Sequence, residues 1–363
     1  MINKIRSHYI LKVIFSNIKK RIQLKIYKYS KKILNRLNIG KNDFQNFIYL
    51  KEVNNIYGTN IIDPDIKILN LKRKNINEDK LEILTKVEFS DLKELNLSEN
   101  DLSNISSLEK VKLNNLTSLK VNFNNISDIS ILKKFKLKGI KELHFYHNKI
   151  SDINVLSEVN FNNLKVLNLY QNKINNIEAL KNATFDELEI LDIGYNDISD
   201  IEALKIVNFK NLKTLILGLN KISNINVLEK VDFKCLEVLD LRYNEINDIN
   251  ILKLVNFKEL KELYLNGNKI SDITPLKISD FKELEILNLS LNKIVNIDIL
   301  ENINLKELKS LYLFNNEISE IKVFEKVNLR NLKTINLFEN KINKVKNSSL
   351  IKKLKIKFKR FIC

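Results

Sequence analysis

Two histidines, His144 and His147, lie three residues apart beside Glu142 and Tyr146. Histidine and glutamate side chains are frequent zinc ligands, and His144 shares a strand face with Tyr146. Two histidines at this spacing nevertheless fall short of the established zinc patterns, so we expect neither a metal nor a cofactor. The sequence also shows no set of nucleophile, base and acid, and its six glycines leave little material for phosphate-cradling loops. We therefore expect no catalytic residue and no enzyme activity.

An asparagine recurs every 24 residues through most of the chain. A carboxamide has donors and an acceptor, so at the exit of a strand it satisfies backbone groups of its own and the adjacent turn. An unpaired buried backbone group costs about 1–3 kcal/mol, which favours a structural role over a ligand-binding one. This asparagine ladder consists of Asn100, Asn124, Asn148, Asn172, Asn196, Asn220, Asn244, Asn268, Asn292, Asn316 and Asn340.

Each asparagine belongs to a repeated unit, of which Leu236–Glu259 (LEVLDLRYNEINDINILKLVNFKE) is a clear example. The alternating L-x-L core predicts a short strand with one buried face, and the following apolar residues predict a return segment. One unit cannot bury these residues alone, whereas stacked units form a continuous core. Eleven such units follow an atypical one that begins at Ile66 and has Lys74 in place of the asparagine. The sequence predicts a solenoid of stacked repeats, each with a short strand and a return segment.

Three columns of side chains are predicted to face away from the core along the strands. In the example unit they are represented by Asp240 (column A), Arg242 (column B) and Tyr243 (column C). All six tyrosines beyond residue 60 fall in these columns, and exposed aromatic clusters usually mark interaction sites. The predicted partner-binding residues are Phe123, His144, Tyr146, Tyr170, Asp192, Tyr195, Asp240, Arg242, Tyr243, Tyr264, Tyr312, Phe314 and Phe338.

The net charge of +17 is concentrated at the two ends of the chain. Residues 1–50 carry +11 and residues 341–363 carry +9, whereas residues 51–340 carry −3. The columns lack the basic stripe that nucleic-acid binding requires, so nucleic acid or an anionic membrane remains an alternative only for the flanks. Two distant cysteines, no signal peptide and no long apolar run favour a cytoplasmic monomer.

The flanks are predicted to differ from the repeats. Apolar residues at helical spacing predict a helical N-terminal cap within residues 1–60, ahead of a solenoid over 61–345. Residues 346–363 predict a basic C-terminal cap. There Leu354, Ile356 and Phe358 alternate with lysines, which predicts a strand with one buried face.

The motif L-x-x-L-x-L-x-x-N of residues 66–345 resembles that of the leucine-rich-repeat family, here in a 24-residue variant. The continuation N-x-I-x-x-I-x-x-L resembles the internalin-like and phosphatase-regulator-like subclass. The resemblance implies an α/β solenoid, a right-handed curved horseshoe with a concave parallel sheet and short helical or 3₁₀ turns outside. It also implies a non-catalytic scaffold or adaptor that binds another protein on the concave strand face. An internalin-like surface adhesin is an alternative.

The N-terminal segment YILKVIFSNIKKRIQLKIYKYSKKILNRL weakly resembles an F-box. F-box proteins with leucine-rich repeats are substrate receptors of ubiquitin ligases. This alternative implies a ligase adaptor bound to residues 1–50 and a substrate bound to the repeats.

Overall fold

Short parallel strands, one for each repeat, form the framework of the structure. The computed structural model describes residues 45–59, 66–89, 91–135 and 137–363, which fall into two units. The first unit contains the described residues up to 126 together with 134–139, and the second contains 127–133 and 140–363. The F-box-like segment and the helices predicted for it lie outside the described residues, so the ligase alternative stays a prediction.

The first unit begins with helix α1 (Gln45–Tyr57) and carries three parallel strands. Leu50, Val53 and Tyr57 of α1 are buried, and α1 contacts the 3₁₀ turn Ile83–Lys86. The strands pair in order and in register. The remaining elements of this unit are β1 (Ile68–Asn70), helix α2 (Glu78–Glu82), β2 (Glu94–Asn96), the 3₁₀ turn Ser106–Lys110 and β3 (Ser118–Lys120).

The second unit contains ten parallel strands, each hydrogen-bonded to the next in chain order. Corresponding residues of neighbouring repeats are paired, for example Leu215 with Leu239. The strands are β4 (Glu142–His144), β5 (Val166–Asn168), β6 (Ile190–Asp192), β7 (Thr214–Ile216), β8 (Val238–Asp240), β9 (Glu262–Tyr264), β10 (Ile286–Asn288), β11 (Ser310–Tyr312), β12 (Thr334–Asn336) and β13 (Arg360–Ile362).

Each return segment of the second unit contains one helical turn. An aspartate or asparagine begins most of these turns, as where Asp248 Oδ1 accepts the backbone N–H of Asn250 at 2.7 Å. The 3₁₀ turns are Ser130–Lys133, Asn154–Ser157, Glu178–Asn182, Glu202–Ile206, Asn226–Lys230, Asn250–Lys253, Thr274–Lys277 and Asp298–Asn302; helix α3 (Val323–Lys326) takes the next place and helix α4 (Ser348–Lys357) precedes β13. The predicted solenoid class, with parallel strands and 3₁₀ turns, is confirmed.

The core of the second unit lies between the strands and the return segments. Its phenylalanine column is stacked, with ring centroids 6.2 Å apart for Phe185 and Phe209 and 6.5 Å apart for Phe209 and Phe233. The strand leucines and the isoleucines two and five residues after the ladder asparagines are almost wholly buried. Each such side chain contributes about 1.5–3 kcal/mol by area, so stacking of repeats supplies the stability that one repeat lacks.

The asparagine ladder joins neighbouring repeats. Asn220 Nδ2 donates to the carbonyl oxygens of Leu217 at 2.9 Å in its own repeat and of Ile193 at 3.1 Å in the preceding one. Its Oδ1 accepts the backbone N–H of Ile198 at 3.0 Å. One buried carboxamide therefore satisfies three main-chain groups, namely two carbonyls just after strands and one N–H of a return segment.

The strand predicted at Leu354–Phe358 is wrong, because these residues lie at the end of helix α4 and just beyond it. Leu354 is 1% exposed and Phe358 3%, whereas Ile356 is 88% exposed. Leu354 and Phe358 are four residues apart, a spacing that puts side chains on the same face of a helix. The ring of Phe358 packs edge to face on that of Phe324, with ring centroids 6.5 Å apart. The chain then forms β13, which pairs with β12. No helix among the described residues is long and apolar enough to span a membrane.

Candidate binding face

The outward side of the strands in the second unit, here called the strand face, is built on a recurrent side-chain turn in column A. In five repeats an Asn or Asp at the strand end accepts the backbone N–H two residues later, at 3.0–3.1 Å. Such a hydrogen bond draws the side chain down onto its own backbone. The residues concerned are Asn168, Asp192, Asp240, Asn288 and Asn336.

Asp192 and Asp240 were predicted to face a partner, but they are buried, with exposed fractions of 8% and 3%. Burial raises the pKa of Asp192 to about 6, and the nearby charge of Asp240 adds to this shift. Burial also raises the pKa of Asp240, although hydrogen bonds and the charge of Arg242 oppose it. Both carboxylates therefore form the floor of the strand face and not its surface.

Two glycines in column B allow larger neighbours to lie close to the sheet. A Cβ at Gly194 would stand 3.1 Å from Cδ2 of Tyr170, and one at Gly218 would stand 2.9 Å from Cγ of Arg242. Tyr170 also stacks on Tyr195, with ring centroids 5.9 Å apart. The glycines thus let these side chains pack flat on the face of β6 and β7.

Arg242 is held between an acid and an aromatic ring. Its Nη2 lies 2.7 Å from Oδ2 of Asp240, and its guanidinium carbon lies 5.8 Å from the ring centre of Tyr264. The hydroxyl of Tyr264 donates to Glu262 Oε2 at 2.7 Å. Burial, followed by this hydrogen bond, raises the pKa of Tyr264 well above its usual range.

Column C has a left-handed backbone in every repeat of the second unit from His147 to Glu339. Tyr195 and Tyr243 adopt φ values of 50° and 52°, yet their side chains are 47% and 45% exposed. A left-handed backbone costs a residue other than glycine about 1–2 kcal/mol and is tolerated best by glycine and asparagine. Gly267 occupies this column too, and the ring of Tyr243 lies so close to it that an added Cβ would stand 2.4 Å from Cδ1.

The other predicted residues lie on the same columns. Phe338 is exposed, whereas His144, Tyr146, Tyr312 and Phe314 are partly exposed on the strand face. Phe123 belongs to the first unit. His144 Nε2 lies 3.5 Å from Glu142 Oε2, and the described residues hold no group of three His, Cys, Asp or Glu side chains placed to bind a metal ion.

A fourth outward column, formed by the first residue of each strand, was not predicted from the sequence. Alternation along a strand puts this residue on the same face as column A, so the period of two was the available signal. The column is rich in partly exposed β-branched residues. Its members include Val166, Ile190, Thr214, Val238 and Ile286.

A family model named "Leucine Rich repeats (2 copies)" matches residues 138–182 and 236–278. A model named "Leucine rich repeat" matches residues 186–246 and 258–318. A further "Leucine Rich repeat" model matches residues 112–132. Together these matches cover more than half of the chain. The chain belongs to the leucine-rich-repeat family.

Solved structures of this family resemble the chain. An internalin (inlF) from Listeria monocytogenes is 27% identical with a TM-score of 0.65, over 83% of this chain and 92% of the internalin chain. The functional domain of InlJ from Listeria monocytogenes is 21% identical with a TM-score of 0.56, over 82% and 60% of the two chains. No curated protein matches the sequence.

A third solved structure is a plant peptide hormone receptor, RGFR1, in complex with RGF2. It is 19% identical with a TM-score of 0.56, and the match covers 76% of this chain but 48% of the receptor chain. At this identity the likeness shows the fold. Leucine-rich-repeat proteins generally mediate interactions between proteins, and their scaffold is typically non-catalytic. An internalin-like adhesin role, like the cytoplasmic location, stays a prediction.

Proposed function

We propose that the strand face of the second unit binds a protein partner and that the chain acts as a non-catalytic scaffold or adaptor. This is the face that the sequence predicts to be concave. The observation that carries the proposal is the pair Tyr195 and Tyr243, two half-exposed aromatic side chains on a left-handed backbone. Asparagine and glycine adopt that backbone at lower cost, as Asn315 and Gly267 do in sister repeats. The left-handed backbone therefore does not favour tyrosine at these positions, whereas an interface does.

The tyrosines of the face are also held in place before any partner arrives. Tyr170 stacks on Tyr195, the Tyr243 ring lies on Gly267, and Tyr264 is fixed by Glu262 and Arg242. Rings that are already ordered lose less conformational entropy on binding, so more of their contact energy appears as affinity. Such amphipathic rings beside an aliphatic column match the composition of protein interfaces.

The test is capture of proteins from a native lysate by the immobilised full chain and by a Tyr195→Asn, Tyr243→Asn double variant. Asparagine suits the left-handed backbone, so the variant should fold at least as well as the original chain. We expect the affinity of the captured partners for this variant to fall by at least about tenfold, because buried aromatic anchors dominate interface energies.

A matched control is the Ile206→Asn, Leu254→Asn variant, which removes two exposed apolar side chains from the return segments. We expect this variant to capture the same proteins as the original chain. Partners that survive loss of both tyrosines but disappear with Ile206 and Leu254 would place the binding surface on the return segments instead.

A further inference from the structure

Asparagine and aspartate are interchangeable in the column A turn, so the turn does not explain why two repeats carry a charge. Asn168, Asn288 and Asn336 accept the same backbone N–H as Asp192 and Asp240, at the same distances. Burial removes the hydration of a side chain, and this costs more free energy for a charged carboxylate than for a neutral carboxamide. The negative charges of the two aspartates must therefore be explained by what they interact with.

Asp240 has its counter-charge within the chain. The guanidinium of Arg242, two residues further on in column B, forms a 2.7 Å ion pair with it and lies over the ring of Tyr264. A buried carboxylate, a guanidinium and a tyrosine ring thus form one closed group, in which charge attraction and the ring face both favour the cation.

Asp192 has no ion-pair partner in its own repeat, because column B there holds Gly194 in place of an arginine. Its Oδ1 accepts the N–H of Gly194 at 3.1 Å and its Oδ2 accepts Nδ2 of Asn168 at 3.1 Å. Among the described residues, no lysine or arginine forms an ion pair with it. Burial raises its pKa to about 6, and the charge of Arg242, two repeats further on, is the smallest of the causes that oppose this shift.

The surroundings of Asp192 supply the second part of the Arg242 arrangement. Tyr170 leans over Gly194, and its ring stacks on Tyr195, which is half exposed. Each carboxylate oxygen has a second lone pair beyond the hydrogen bond that it accepts, so the group can still receive a donor. The Asp192 site, defined as Asp192, Tyr170, Gly194 and Tyr195, therefore offers a carboxylate and tyrosine rings without the cation.

We propose that the Asp192 site receives the guanidinium of an arginine side chain from an extended segment of the partner polypeptide, beside the ring of Tyr170 that lies over Gly194. The partner arginine pairs with the carboxylate and lies against the tyrosine rings, as Arg242 does with Asp240 and Tyr264. A planar guanidinium fits both a carboxylate and an aromatic face, and it does so better than the ammonium group of a lysine. This inference rests on the proposed function, since it names the chemistry that the strand face recognises.

The test begins with a phage library of random dodecapeptides selected on the full chain. We expect the binding peptides to share apolar residues and one arginine at a fixed place. A synthetic peptide of that sequence should lose about 10- to 100-fold in affinity for Asp192→Asn, the range expected when one charge-assisted contact is removed. Replacing its arginine by citrulline, which is neutral and of the same shape, should cause the same loss on the original chain and little further loss on Asp192→Asn.

Asp248→Asn is the matched control, because Asp248 forms the same kind of turn on a return segment, where sister repeats carry Asn176 and Asn224. It should bind the arginine peptide like the original chain. Peptides that depend on Tyr195 and Tyr243 but carry no preferred arginine would overturn the Asp192 assignment and leave the proposed function standing. Peptides that are insensitive to both tyrosines, or a selection that yields no binder, would contradict the proposed function as well.

Discussion

At the scale of single residues, the asparagine ladder has the clearest energetic role. Asn220 is buried and hydrogen-bonded to main-chain groups of two repeats, so its loss leaves several polar groups without partners in a dry environment. Because each unsatisfied group costs about 1–3 kcal/mol, we expect Asn220→Ala to lower the free energy of unfolding by at least about 3 kcal/mol. Urea denaturation followed by circular dichroism measures this loss.

Asn224→Ala is the control for that experiment, since Asn224 is exposed in the same repeat and accepts only the N–H of Asn226. We expect it to cost less than about 1 kcal/mol, the usual effect of losing one exposed cap. Equal melting curves for the two alanine variants would contradict the structural role of the ladder.

The ladder could be predicted from the sequence because one side chain recurs at one spacing. The burial of Asp192 and Asp240 could not be predicted in this way. Their place between core leucines correctly put them on the outward face. Their burial depends on the backbone turn after the strand and on the neighbours Gly194 and Arg242, which alternation along a strand does not specify. A column assignment therefore identifies the face on which a side chain lies but not how deeply it lies there.

At the scale of elements, the strands were predictable and the C-terminal segment was not. Each strand is confirmed by neighbours of identical pattern, whereas Leu354–Phe358 occurs once and its spacing fits a strand and a helix equally. If the segment were a strand, Ile356 would share the buried face of Leu354 and Phe358. In helix α4 it points away from them.

Alanine substitutions distinguish these two structures. We expect Phe358→Ala to lower the free energy of unfolding by about 3–5 kcal/mol, because Phe358 packs on Phe324 and Phe361. Ile356→Ala should change it by less than about 0.5 kcal/mol, as an exposed substitution does. Thermal denaturation of both variants measures the difference. A large loss of stability in Ile356→Ala would favour the strand over the helix.

At the scale of the whole molecule, the charges of the repeats are largely neutralised by one another. Before strands β5 to β11, lysine and glutamate alternate from repeat to repeat, and Glu189 pairs with Lys165 at 2.6 Å and with Lys213 at 2.8 Å. Similar pairs join Lys261 to Glu237 and Lys309 to Glu285, both at 2.7 Å. The excess positive charge lies at the two ends of the chain. Near the C-terminal end, helix α4 exposes several lysines.

This distribution predicts two kinds of binding with different salt dependence. A partner held by the aromatic strand face should lose less than about threefold in affinity between roughly 50 and 200 mM salt, since few charges are neutralised there. Duplex DNA, used as a non-specific probe of the basic flanks, should lose more than about tenfold over the same range. The Lys352→Gln, Lys355→Gln, Lys359→Gln variant should weaken DNA binding further while it captures the same proteins as the original chain. A steep salt dependence shared by the captured proteins, together with their loss from this variant, would mean that the flanks and not the strand face hold the partner.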